Sequence, residues 1–405
     1  MTDIREILGI KIESPYWDEA YKKAIVDEQI PEWLTESYIR NIHEKYGFFK
    51  MNLENIISAI PHIIKVPELC ILAKTLYRIL ETKKSFSQAF THFEAPKAPK
   101  GLENTMGYDC VLGFPVLAHL VPSWKELEAR GIESDIIKDS LTTVDHLFTY
   151  SQEEIGKPAF TEQFFRMYGN AIYINYLKIG RLRFEIFENS DRPARIFENK
   201  NGERKVIMCD CVLHKSGRIL GAYGFEDEKD SHKAEFTETD KEYIGYAVNE
   251  KTRLSENTLS RLDKSEWTPV YTPGDNGLKV HIPYGGKLTK EACEDSYTRA
   301  REVFERCYPE IHFDGFHLFC WMLSPDLRDI LKPDSNIIEF QNKYTVFPAK
   351  DNAVDAIMYV FGIKEEKVHS INPKDLPEGN SLQKGIKKKA LEGTLIHQHY
   401  GFFKW

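Results

Sequence analysis

The stretch Leu278–Leu331 constrains this chain most. It reads LKVHIP, YGGKLT, KEACEDSYTRAREVFERC, YPEIHFDG, FHLFCWML and SPDLRDIL in succession. In order, that predicts strand, glycine loop, helix, connector, strand and helix. Leu278, Val280 and Ile282 alternate with Lys279 and His281, the period of two of a half-buried strand. Pro283 has no N–H and ends the ladder. Gly285-Gly286 can take positive φ and let another group approach the backbone. Thr289 suits an N-cap, and Glu291 in the first turn complements the helix dipole. Cys293, Tyr297, Ala300, Phe304 and Cys307 fall on one helical face. Phe316–Leu323 predicts a central strand buried on both faces, and Ser324-Pro325-Asp326 the start of a helix. A strand, a glycine loop and a helix start in this order form a place where backbone N–H groups can hold an anion.

The 405 residues allow two or three domains, and 42% hydrophobic with 12% aromatic residues are enough for substantial cores. The net charge of −8 argues against a general nucleic-acid binder, which needs a basic face. Lys384 with Lys387-Lys388-Lys389 is the one visible basic run, read as the solvated face of a C-terminal helix. The seven cysteines include no CxxC. Cys209 and Cys211 read as neighbours on one face of a strand with no His/Cys pair at zinc spacing, so no metal is expected. That usage suits a reducing cytosol, hence a cytoplasmic protein. MTDIREILGI lacks the apolar run of a signal peptide, and no stretch approaches a membrane span.

Along the chain, residues 1–92 predict helices. Phe93–Leu102 reads as a Pro/Gly/Lys linker, and Ser134–Tyr150 and Thr161–Tyr176 as two more helices. Gly180–Phe187 then alternates as a strand. Lys205–Leu213 and Arg218–Phe225 read as a hairpin through HKSG. Residues 226–276 read as a polar insertion or excursion with one short helix near Glu242–Val248. Asn352–Phe361 and Ser381–Leu391 predict helices, and Gly393–Phe403 a closing strand pair. The fold class is therefore α+β, with a helical domain over 1–155 and a mixed domain over 156–405.

Several short runs carry a family resemblance. They are Arg130-Gly131-Ile132, Gly180-Arg181-Leu182 with Phe184-Glu185, Val280-His281-Ile282-Pro283, and Leu288-Thr289 with Glu291-Ala292-Cys293. Further on come Cys320-Trp321, Ser335-Asn336-Ile337 with Phe340, and Leu382-Gln383. Their succession over roughly residues 100–395 resembles bacterial acyltransferase-domain proteins. These join a helical N-acyltransferase N-terminal domain to a C-terminal domain similar to the GNAT acyl-CoA-dependent N-acyltransferases. The resemblance implies a strand pair that splays apart, with acetyl-CoA or another acyl-CoA in the gap. It also implies a pyrophosphate held by the loop Tyr284, Gly285, Gly286 and Lys287. The usual Arg/Gln-x-x-Gly-x-Gly/Ala run is absent, and YGGKLT is shorter.

As candidate chemistry, His281 is placed at the strand end as the base that takes a proton from an attacking amine. Tyr344 is the chosen acid for the leaving thiolate, with Tyr284 and Tyr308 as alternatives that the sequence does not rank. Cys320 and His317 lie three apart on a strand and cannot pair, and Ser324 has no G-x-S-x-G elbow, so a covalent hydrolase is disfavoured. The expected activity is acyl transfer to the amine of a small molecule or peptide. The alternative is a GNAT-like binding or regulatory protein without catalysis. No nucleic acid or membrane partner is expected.

Overall fold

The computed structural model describes residues 3–83, 86–95, 106–162, 164–166, 176–283 and 285–405. It divides into two compact units, Met1–Ile179 and Gly180–Trp405, where the sequence reading had placed the boundary at 155/156. Most of the expected helix Thr161–Tyr176, residues 96–102 of the expected linker, and Tyr284 lie outside the described residues.

The first unit is mainly helical. Strands β1 (Lys11–Glu13) and β2 (His92–Glu94) pair antiparallel, and β3 (Tyr176–Ile179) ends the unit. Helices include Trp17–Val26, Leu53–Ile64, Pro67–Leu80 and Gly113–Ala129, the last running through Pro115 and Pro122. Amphipathic spacing buries Leu69, Leu72, Leu76 and Ile79 of Pro67–Leu80. The turn before Leu53 is tied by the buried Asp145 carboxylate. It accepts from the backbone N–H groups of Lys50, Met51 and Asn52 at 2.9, 3.0 and 3.1 Å. No single helix among the described residues is long and apolar enough to cross a membrane.

In the second unit the strands are β4 (Leu182–Phe187), β5 (Ala194–Asn199), β6 (Arg204–Met208), β7 (Cys211–Leu213), β8 (His232–Ala234), β9 (Thr237–Glu238), β10 (Glu242–Val248), β11 (Ser255–Asp263), β12 (Trp267–Tyr271), β13 (Gly277–His281), β14 (Gly315–Cys320), β15 (Thr345–Pro348) and β16 (His399–Lys404). One sheet has the order β15-β16-β14-β13-β4, in which β13 and β14 run parallel and the other neighbours antiparallel. A second sheet has the order β11-β10-β6-β5-β12. Its inner residues Ile196, Val206, Met208 and Tyr271 share a buried cluster with Phe347 and Phe402 of the first sheet.

The opposite face of the first sheet packs on the helix Lys290–Cys307. Thr289 caps that helix as expected, its side chain accepting from the Ala292 N–H. Tyr297 is the anchor, with ring centroids 5.2 Å from Phe316, 4.9 Å from Phe403 and 6.1 Å from Phe184. Burial of a ring this size is worth roughly 2–3 kcal/mol.

The structure corrects several local expectations. Glu242–Val248 is the strand β10, paired with β11 and β6, so residues 226–276 build a sheet instead of decorating one. Tyr243, Ile244, Tyr246 and Val248 are β-formers, and tertiary pairing outweighs a short helical pattern. Asp210 has φ 54° and breaks the chain between β6 and β7, so Cys209 and Cys211 do not share one strand. Strand β7 pairs with β8, and the expected hairpin through HKSG is reduced to one antiparallel bridge, Leu213 to Ile219, with backbone hydrogen bonds from the His214 N–H to the Arg218 carbonyl and from the Leu220 N–H to the Val212 carbonyl. β14 ends at Cys320 and Trp321–Leu323 is a 3₁₀ turn, so the strand is shorter than expected; Gly315–Leu318 are buried on both faces, and only beyond them does the strand emerge, at Phe319, 40% exposed. The closing segment holds the single strand β16.

Candidate active site

The parallel pair β13–β14 is closed at one end and open at the other. Gly277 faces Gly315, Leu278 faces Phe316 and Lys279 faces His317, and there the shared ladder stops. β13 continues with β4 to the pair His281–Arg183, while β14 continues with β16 to the pair Cys320–His399. Each strand therefore keeps its outer neighbour and loses its inner one. The closed end depends on its two glycines. A Cβ on Gly277 would lie 2.5 Å from the Gly315 carbonyl oxygen and 2.5 Å from the His317 ring, and one on Gly315 would lie 2.3 Å from the Phe402 ring. The open end leaves backbone N–H and C=O groups facing a gap, and such groups need partners.

Alternation puts Glu185 of β4 and Lys279 and His281 of β13 on one face. His281 Nε2–H donates to Glu185 Oε2 at 2.9 Å, and Lys279 Nζ stands 3.9 Å from Glu185 Oε1. The His281 side chain is 40% exposed and that of Glu185 23%. Burial pushes the Glu185 carboxyl up. The His281 hydrogen bond and the charges of Lys279 and Arg192 outweigh it, and the group stays ionised below the usual carboxylate range. The carboxylate accepting from Nε2–H orients the ring and keeps a proton on Nε2.

Beyond β13 the chain passes Pro283 into the glycine loop. Gly285 and Gly286 have φ 82° and 70°, as the sequence reading required. Arg181 clamps this loop, donating from Nη1 to the Pro283 carbonyl at 2.9 Å and from Nη2 to the Gly286 carbonyl at 3.1 Å. Burial lowers the Arg181 pKa, and its Nε is buried without a hydrogen-bond partner. Lys287 is exposed, and the Thr289-capped helix start follows. Two cations and a helix N-terminus thus share one loop, an arrangement suited to an anion.

A family model described as the GNAT-like C-terminal domain matches residues 176–403, more than half of the chain. The chain belongs to the family with a GNAT-like C-terminal domain. This GNAT-like domain has the expected α+β architecture and the expected splayed pair. Among solved structures, a crystal structure of an acyltransferase in complex with decanoyl-CoA and teicoplanin is 17% identical. It covers 99% of this chain and 98% of that chain at a TM-score of 0.64. A mutant acyltransferase in complex with octanoyl-CoA is also 17% identical, with the same coverage and a TM-score of 0.63. An acyltransferase in complex with CoA and 10C-teicoplanin is 16% identical, at a TM-score of 0.64. At these identities the likeness is one of fold. No curated protein matches the chain.

Within the GNAT-like domain, His281, Gly285, Gly286 and Lys287 lie along one continuous segment at the open end of the pair. Tyr344 does not join them. Its hydroxyl is 2.7 Å from that of Tyr297, in the core on the other face of the sheet, and burial followed by the Tyr297 contact raises its pKa well above the ordinary tyrosine value. A hydroxyl so held does not reach the His281 face, and Tyr344 is a core residue here. Tyr308 is likewise buried, stacked on Phe304 at 5.2 Å. Cys320 accepts from the Met322 N–H, and burial pushes its thiol up to about 12, which leaves it unreactive. Among the described residues no group of three His, Cys, Asp or Glu is placed to hold a metal ion.

Sequence reasoning missed Glu185 and Arg181 as site residues. The alternation of Arg181, Arg183 and Glu185 against Leu182, Phe184 and Ile186 set their phase, but the antiparallel register with β13 was needed to bring Glu185 to His281.

Proposed function

We propose that this protein is an acyl-CoA-dependent N-acyltransferase. The carrying observation is the β13–β14 pair that opens beyond Lys279 and His317, with a cation-bearing glycine loop at the end of β13. The acyl-CoA lies in the opening with its amide groups against the unpaired strand edges, and its pyrophosphate meets Arg181, Gly285, Gly286, Lys287 and the helix start. The solved structures of like fold that hold decanoyl-CoA or octanoyl-CoA support this reading, as does the peptide-like teicoplanin beside one of them for an amine acceptor. The acceptor nitrogen attacks the thioester carbonyl carbon, so the N–C bond forms and the C–S bond breaks. The amine proton passes to His281 Nδ1, the electron pair of the broken bond goes to the CoA sulfur, and the thiolate is protonated on release. Glu185 holds the ring and stabilises the imidazolium that forms.

Calorimetric titration with CoA, acetyl-CoA and decanoyl-CoA tests binding. Gly285→Asp is compared with Gly285→Asn, which carries the same backbone demand without the charge. Nothing lies within 4 Å of a Cβ at Gly285, so the change is chiefly electrostatic. Expected are binding in the wild type, loss in the Asp variant and near-retention in the Asn variant. Turnover with an amine panel should then fall about 10²–10⁴-fold in His281→Gln. No binding of any acyl-CoA overturns the reading. Binding without turnover of any amine leaves the catalytically silent binding protein in its place.

A further inference from the structure

The His281 face carries more positive charge than its own reaction needs. Arg192 lies against this face, with its guanidinium carbon 4.3 Å from the Tyr400 ring centroid and 5.1 Å from that of Phe187. Lys279 Nζ is 4.3 Å from the same Phe187 centroid. Both cations act on the buried His317 and on Glu185, so they share one electrostatic neighbourhood with the dyad. Against them stands one held carboxylate. Glu185 gives its short bond to His281, and Lys279 approaches its other oxygen only to 3.9 Å. Among the described residues the carboxylate within 4.0 Å of Arg192 is Asp191, at 3.8 Å and with its side chain 83% exposed. A pair so loose and so wet neutralises little. Two cations resting on aromatic rings beside a proton acceptor, with one carboxylate between them, make a site short of one anion.

We infer that the acceptor amine also bears a carboxylate, and that Lys279 and Arg192 bind it while His281 takes the proton; this rests on the acyltransferase reading above. Lys279 and His281 are two residues apart on one strand, so their Cα atoms are about 7 Å apart on the same face. A lysine side chain and an imidazole at that spacing can hold the two ends of one small amino acid or peptide terminus. The chemistry gains in two ways. The carboxylate supplies the missing charge, and the cations disfavour the ammonium form of the acceptor, which must be neutral to attack. Neutral amines of the same size forgo the first contribution. Charge-assisted hydrogen bonds of this kind are the stronger class, so the discrimination should be at least tenfold.

The test uses glycine and L-phenylalanine, each against its amide, with the wild type, Lys279→Met and Arg192→Gln. Binding is followed first, without acyl-CoA, by the NMR signals of the His281 imidazole. The wild type should respond to the acids and at least tenfold more weakly to the amides, and Lys279→Met should bring the two within about threefold. Transfer from acetyl-CoA or decanoyl-CoA is measured second. The acid-to-amide ratio of kcat/KM should fall by a similar factor in each variant, with the KM for acyl-CoA unchanged. Equal response to acid and amide in the wild type overturns the inference, as does an acid preference kept in both variants. Because the NMR arm contains no acyl-CoA, a carboxylate preference there without any transfer would fault the acyltransferase reading and leave the anion site standing.

Discussion

His317 should make the GNAT-like unit acid-labile. It sits in β14, 2% exposed, with its ring 5.3 Å from Phe187, 5.2 Å from Tyr271 and 5.1 Å from Phe402. Its Nε2 is buried without a hydrogen-bond partner. Burial, and then the charges of Arg192 and Lys279, bring its pKa from 6.5 down to about 3. His399, also buried, falls to about 3, chiefly by burial and then through Arg218. A depressed histidine pKa means that the unfolded chain binds protons that the folded one refuses. The stability is complete above pH 6.5 and drains as the pH falls from there towards the folded value. Each unit of pH in that window costs about 1.4 kcal/mol per histidine. At about pH 4.5 the two together remove roughly 5 kcal/mol, comparable with the whole stability of an ordinary domain. Urea unfolding followed by tryptophan fluorescence, at steps between about pH 7.5 and 4.5, measures the slope. His317→Leu keeps the bulk and removes one of these titrations, so its stability should decline less steeply than that of the wild type, by about 1.4 kcal/mol per unit of pH. An unchanged slope in His317→Leu would refute the assignment.

Gly277→Ala should lower stability by about 1–3 kcal/mol, because the new Cβ meets the Gly315 carbonyl and the His317 ring at 2.5 Å and backbone has to shift. The fall in urea midpoint reads it, and an unchanged midpoint contradicts the packing described. Asp145→Ala removes three backbone hydrogen bonds to a buried carboxylate and should cost about 2–4 kcal/mol in the helical unit. Asp145→Asn, which keeps one acceptor oxygen, should cost less, and equal loss in both variants would count against the capping role.

Local rules carried far into this chain. The phase of Leu278–Ile282, the cap at Thr289, the buried helical face from Cys293 to Cys307 and the positive φ of Gly285 and Gly286 all follow from side-chain period and backbone sterics within a few residues. The same rules failed where partners lay far off in sequence. Glu242–Val248 carries too few residues to choose its own state, and β6 and β11 chose it. Tyr344 looked available because a sequence does not say which face of a sheet a residue joins, and Tyr297 on the long helix claimed it.

The sequence by itself thus determined which residues of β4 and β13 point the same way, since alternation has a period of two whatever the neighbours are. Only the tertiary structure decided that Glu185 stands beside His281, ninety-six positions away, and that β13 leaves β14 after Lys279. Strand register and strand separation are set by contacts between distant segments, and no local propensity encodes them.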